Sequence, residues 1–319
     1  MRNDELQNST LSPKDGVLAY LVALSVTLVL SFVVFFLPEG NAQTLANYFI
    51  TQLGFLIVPF LFLKSKGISY LDAVPLKGKV KPLAVVLIIP ITIGAFMQNT
   101  ILSVAFNWLL EALGITPSVN LPSTDGALNV LLAVVAVCLL PALAEEFLFR
   151  GIILSSYKNK GLMRACVLSA VVFALSHFNP AQFVHQAILG FILAYITVCS
   201  GNVWYGALMH LLNNVIALFI GDVIPAYNNL AILNSQNIII LMIMCAVGAV
   251  ILIVSLLAFS KVVTRDELKV DGHPLKILSK KGAPAWWNAD KVKDPWTIGF
   301  IVFMVVMSVL SALTQYLTF

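Results

Sequence analysis

The chain has 319 residues, of which 60% are hydrophobic and only 11% charged, with 19 Lys and Arg against 15 Asp and Glu and a mean hydropathy of +0.94. Soluble domains carry roughly a quarter charged residues, so this composition excludes a pair of ordinary soluble domains, a disordered chain, a secreted disulfide scaffold and a nucleic-acid-binding module. Lipid is the solvent it suits, and the informative question is where the few charges sit.

In chain order, apolar stretches recur at residues 16–37, 45–63, 83–110, 127–157, 165–178, 183–199, 204–224, 238–259 and 297–317. About 20 residues at ~1.5 Å rise cross the hydrocarbon core, so the expected fold is an all-α polytopic bundle of eight or nine membrane helices. The first stretch is longer than a signal-peptide core, and the segment before it mixes Arg2 and Lys14 with three acids, which predicts a retained helix. Pro90 predicts a kink in the third, with Gln98 and Asn99 turned toward other helices. The fifth and sixth are short, which places the Asn179-Pro180 turn inside the protein. Residues 1–126 then form an N-terminal helical part, 127–224 a central core and 225–319 a C-terminal part. The last of these includes a polar, basic stretch at 260–295. With Trp286 and Trp287 inside it and Trp296 just beyond, this stretch is expected to lie on the membrane surface. Cys138, Cys166, Cys199 and Cys245 have apolar neighbours and no CxxC pairing, and read as packing residues.

The basic residues are distributed in one pattern. They occur at Arg2 and Lys14, at Lys64, Lys66, Lys77, Lys79 and Lys81, at Arg150, Lys158, Lys160 and Arg164, and eight times between Lys261 and Lys293. The intervening connections at 38–44, 111–126, 179–182 and 221–237 hold none. By the positive-inside rule this predicts a cytoplasmic N-terminus and an outward C-terminus.

Thirteen of the acids lie outside the apolar stretches or at their edges, whereas Glu145 and Glu146 sit side by side within one. A charge at the bilayer centre costs about 2.5–3.5 kcal/mol even on a lenient scale, and usually marks function. Arg150, four residues beyond Glu146, can offset part of that cost as an ion pair. Glu145 points about 100° away and has no intrahelical partner in reach. Three of the four histidines, His177, His185 and His210, also fall in apolar stretches, while His273 lies in the basic one. Segments four and five form a hairpin around residue 161, so Glu145 and His177 sit at nearly equal depth on neighbouring helices. Phe173 lies one turn before His177 and can pack its ring. His210 and Asn214 share a face of the seventh helix, four residues apart. His185 is expected outside that level, as a packing residue.

A carboxylate beside an imidazole in a low-dielectric site can take a proton from water. A second His with an Asn can donate hydrogen bonds to the oxyanion formed when that water attacks a carbonyl. Together they describe amide hydrolysis within the bilayer. Ser176 adjoins His177 but points elsewhere, which speaks against a Ser-His dyad. A proton-coupled transporter is the alternative from another class; it needs a continuous polar path, and the outer halves of the helices are nearly all apolar. A non-proteolytic scaffold or immunity protein is the third.

Glu145-Glu146-x-x-x-Arg150, Phe173-x-x-x-His177 and His210-x-x-x-Asn214, in order on successive hydrophobic helices, resemble the CAAX protease and bacteriocin-processing family of intramembrane proteases, also called the Abi family. The resemblance spans about residues 127–220. It implies that Glu145 is the general base, that Glu146 and Arg150 support it, that His177 helps activate water, and that His210 and Asn214 form the oxyanion site. The expected substrate is a membrane-associated protein or peptide, prenylated or a bacteriocin-type precursor, cleaved in the cytoplasmic half of the cell membrane. The family has often been called metalloproteases, and Glu145, His177 and His210 would be the zinc ligands. The HExxH helix of soluble zincins is absent and Asn214 suits an oxyanion role better, so glutamate-activated water without metal is the expectation.

Overall fold

The computed structural model describes residues 11–76, 78–115, 120–158, 161–232, 234–263 and 295–317. His273, Trp286, Trp287 and nearly all of the basic stretch lie outside the described residues. Nine helices follow the nine apolar stretches: α1 Pro13–Val34, α2 Asn41–Ser65, α3 Pro82–Ala112, α4 Ala127–Tyr157, α5 Leu162–Leu175, α6 Pro180–Ser200, α7 Val203–Val223, α8 Ser235–Val263 and α9 Pro295–Leu317. The described residues hold no strand. Seven helices are long and apolar enough to cross a membrane; α5 and the Pro295–Ser311 part of α9 are shorter apolar helices. The chain is thus a polytopic helical bundle.

Local chemistry sets the helix starts. Ser12 and Asp15 form a reciprocal capping box at α1, followed by Pro13 in the first turn. Asn202 accepts from Trp204 N at the start of α7. Asn179 accepts from Ala181 N at 3.0 Å and Pro180 opens α6. That cap starts α6 three residues before the apolar run, giving 21 residues, so the expectation of a short sixth helix fails. Only α5 of the hairpin, with 14 residues, is too short to span.

Contacts between helix ends gather the basic residues at one end of the bundle. Lys66, at the end of α2, pairs with Asp15 of α1 at 2.9 Å. Lys14 lies 4.9 Å over the Trp296 ring at the start of α9, where Thr297 also donates to Tyr157 at the end of α4. The segment before α3 joins the α6–α7 turn through Gly78 N to Gly201 O and Val203 N to Pro75 O, and Lys81 Nζ donates to Val262 O of α8. Arg150 departs from the pattern. It is fully buried within α4, so it belongs to the interior and not to the loop cations that orient the chain.

Gln98 turns toward another helix, donating to Cys245 O of α8 at 2.7 Å. The α3–α8 contact is close because neither Gly94 nor Gly248 carries a side chain: a Cβ on Gly94 would lie 2.7 Å from Leu252 N. An aromatic chain through Tyr20, Phe55, Phe149 and Phe173 fills the centre among α1, α2, α4 and α5. Cys138, Cys166 and Cys199 are buried, Cys245 is exposed, and all four are free thiols.

Candidate active site

Helix α4 is not a regular α-helix. Two π-helical segments, Val134–Leu139 and Glu146–Ile153, flank an α-helical turn Leu140–Glu145. Such segments are rare and frequent at functional sites. Pro141 contributes to the irregularity, since it lacks the N–H that an α-helix would direct to Val137 O. Asn214 Nδ2 of α7 donates to that same carbonyl at 2.9 Å, and Asn213 Nδ2 donates to Asn214 Oδ1 at 3.3 Å. One carboxamide N–H of Asn214 remains for another acceptor.

Glu146 is the anchor of the site. Its Oε1 accepts from Arg150 Nη1 at 2.8 Å and from His210 Nδ1 at 2.9 Å. Arg150 Nη2 donates to Gly190 O at 3.0 Å, and its guanidinium lies 4.5 Å over the Phe173 ring. Gly190 permits this approach: a Cβ there would lie 2.9 Å from Phe173 and 3.3 Å from Arg150 Nη2. Charge, hydrogen bonds and ring face compensate much of a guanidinium with no exposed surface, though its Nε is buried without a hydrogen-bond partner. The second oxygen, Glu146 Oε2, is buried without a hydrogen-bond partner, as is Thr197 Oγ1. Both face the bare α-carbon of Gly206, whose Cβ would lie 3.0 Å from the one and 3.1 Å from the other.

Glu145 points the other way, and its partner comes from outside the three motifs. Gln52 Nε2 of α2 donates to Glu145 Oε1 at 2.8 Å, and both residues are buried. The signal in the sequence was a lone Gln within the apolar stretch 45–63, a polar group that needs a reason in a lipid-facing segment. Glu145 Oε2 lies 3.8 Å from His210 Nε2. This is too long for a direct hydrogen bond and suits an intervening group.

His177 closes the other side, just past the end of α5. Its Nδ1 lies 2.9 Å from Phe173 O. A carbonyl only accepts, so Nδ1 carries the hydrogen, and in the neutral ring Nε2 keeps its lone pair. The Phe173 ring stands edge-on to both imidazoles, with centroids 5.0 Å from His177 and 5.8 Å from His210. His177 interacts electrostatically with Glu145 and His210. Glu145, Glu146, Arg150, Phe173, His177, His210 and Asn214 thus come together from α4, α5 and α7, with Gln52 added from α2.

His185 is not set apart from this level: it lies early in α6, across the same α5–α6 turn as His177. Nor are the helices wholly apolar away from the motif residues. Asn99 Oδ1, Asn107 Oδ1 and Gln186 Oε1 are buried without hydrogen-bond partners.

Among the described residues, no three His, Cys, Asp or Glu side chains converge as a group able to hold a metal ion. The expected zinc ligands Glu145, His177 and His210 are not gathered as such a group, although the His210 Nδ1 contact to Glu146 is one that a metal-ligating histidine also makes.

Residues 127–216 match a sequence model of the family described as type II CAAX prenyl endopeptidase Rce1-like. No curated protein and no solved structure matches the chain. The matched segment, similar to that family, runs from the start of α4 into α7 and contains Glu145, Glu146, Arg150, Phe173, His177, His210 and Asn214.

Proposed function

We propose that the protein is an intramembrane endopeptidase that hydrolyses a peptide bond of a membrane-associated protein or peptide. The observation that carries this reading is the buried pair Glu145 and Glu146 on opposite sides of His210, at 3.8 Å and 2.9 Å. Glu145, held by Gln52, takes one proton from water while the water's remaining O–H donates a hydrogen bond to His177 Nε2, and the oxygen attacks the substrate carbonyl. His210 already donates Nδ1–H to Glu146, so Nε2 gains an N–H for the oxyanion only by taking a proton. Glu145 is the nearest carrier of one. Asn214 supplies the second oxyanion donor from its remaining N–H. Collapse of the tetrahedral intermediate breaks the C–N bond, and the leaving amine takes the proton held between Glu145 and His210.

A prenylated CAAX-type protein and a bacteriocin-type peptide precursor are the substrate classes that the family core suggests, cleaved at the cell membrane and in its cytoplasmic half. Comparison of membrane-protein termini in cells with wild-type protein and with Glu145→Ala tests this. New termini are expected with wild-type only, and identical termini overturn the reading. The unpartnered polar atoms of Asn99 and Gln186 favour one other reading, a proton-coupled transporter. Uptake into proteoliposomes that survives Glu145→Ala would establish it instead.

A further inference from the structure

Helix α5 ends inside the bundle. Its 14 residues span roughly 21 Å, and the chain turns through Ser176, His177, Phe178 and Asn179 into α6. Within the turn the N–H groups of Ser176, His177 and Phe178 donate to Val172 O, Ala174 O and Leu175 O, and Ser176 Oγ donates to Phe173 O. The turn also contains Phe178 at φ 46°, the one described non-glycine residue with positive φ, a conformation that costs roughly 1–2 kcal/mol, and the Phe178 carbonyl is met from outside the hairpin.

Two serines of α9 meet this turn. Ser311 Oγ donates to Phe178 O at 2.5 Å. Ser308 Oγ reaches Leu175 O at 3.4 Å while donating to Met304 O at 2.9 Å. The two carbonyls bracket His177 in the chain. α9 is itself fixed: Phe300 and Met304 are buried in the central core, the Phe300 ring lies 5.3 Å from that of Tyr20, and Thr297 joins Tyr157 at 3.0 Å. α9 lies well beyond the matched segment 127–216, so the family core does not account for these contacts.

We propose that α9 is a strut for the catalytic turn, and that Ser308 and Ser311 are positioning residues that keep His177 with Nδ1–H on Phe173 O and Nε2 open. The importance of an open Nε2 rests on the protease reading above. The orientation of His177 does not, and the two are measured separately.

The experiment uses full-length protein in bicelles with 15N-labelled histidine. The His177 ring signals are assigned by their loss in His177→Gln, and peptide cleavage is followed in the same preparations. In wild type the His177 signals are those of an Nδ1–H tautomer. In S311A, and more so in S308A/S311A, they move toward a mixture of tautomers, and kcat falls about 10- to 100-fold, as loss of reactive geometry does, at unchanged KM. S308T/S311T, which keeps both hydroxyls, restores both readouts. A helix that only stabilised the bundle would lower resistance to unfolding and leave tautomer and kcat in place. Should S308A/S311A fail to fold, S311A decides alone. Wild-type ring signals in S311A overturn the proposal. Equal cleavage by wild type and Glu145→Ala overturns the protease reading instead, and the ring signals still decide the strut.

Discussion

Arg150→Met tests the anchor of the site. The substitution roughly preserves volume but removes the guanidinium that donates to Glu146 Oε1 at 2.8 Å and to Gly190 O at 3.0 Å and lies over Phe173. Glu146 is then left fully buried with His210 as its remaining partner. Breaking one side of a buried ion pair costs about 3–5 kcal/mol, because the surviving charge is uncompensated. Glu146→Leu/Arg150→Met removes both charges. What remains is one lost hydrogen bond to Gly190 O and one to His210, about 1 kcal/mol each. The double variant is therefore expected about 1–3 kcal/mol above the single, and both are inactive. Unfolding by SDS titration in mixed micelles, followed by circular dichroism, gives the three stabilities. A single variant as stable as wild type, or a double variant no more stable than the single, refutes the account of Arg150 as a buried counter-charge.

Three further outcomes are expected. Gln52→Leu removes a hydrogen bond to a carboxylate, worth about 1.5–3 kcal/mol, and is expected to slow peptide cleavage by about 10- to 100-fold while the protein stays folded; unchanged kcat would detach α2 from the chemistry. Gly206→Ala puts a methyl 3.0 Å from Glu146 Oε2 and 3.1 Å from Thr197 Oγ1, and the crowding is expected to lower stability by about 1–3 kcal/mol in the same SDS titration. For orientation, Glu39→Cys and Lys64→Cys in a cysteine-free background are treated with a membrane-impermeant maleimide on intact cells. Glu39→Cys is expected to react directly and Lys64→Cys only after permeabilisation, and the reverse order would invert the charge-based topology.

Much of this molecule was legible in its sequence, because length, hydropathy and charge are local properties. Nine apolar stretches became nine helices, and the i, i+4 spacing of Glu146 and Arg150 gave a contact at 2.8 Å. What escaped the sequence depended on register or on distant partners. Arg150 looked like a cation near a helix end, but the π-segment carries it inside with the acids. The start of α6 was misjudged because hydropathy ignores a cap such as Asn179. Gln52 stood out only as a polar residue in an apolar stretch and could not be tied to the site, since its partner lies 93 positions away and the motifs reside on other helices. The polar atoms of Asn107 and Gln186 look unremarkable one at a time. They form a pattern only once three dimensions show that none has a partner.

The Ser311–Phe178 contact joins residues separated by 133 positions, and that separation has a meaning in time. Chains grow at about 5–20 residues per second, so roughly 7–27 s pass between synthesis of the His177 turn and synthesis of the hydroxyl that secures it. Throughout that interval α4 to α7 can already be in the bilayer with every motif residue made, yet with Phe178 O lacking its Ser311 donor. Under the strut proposal, a ribosome stalled in the basic stretch would leave the full set of motif side chains around a His177 turn whose last brace has yet to be made.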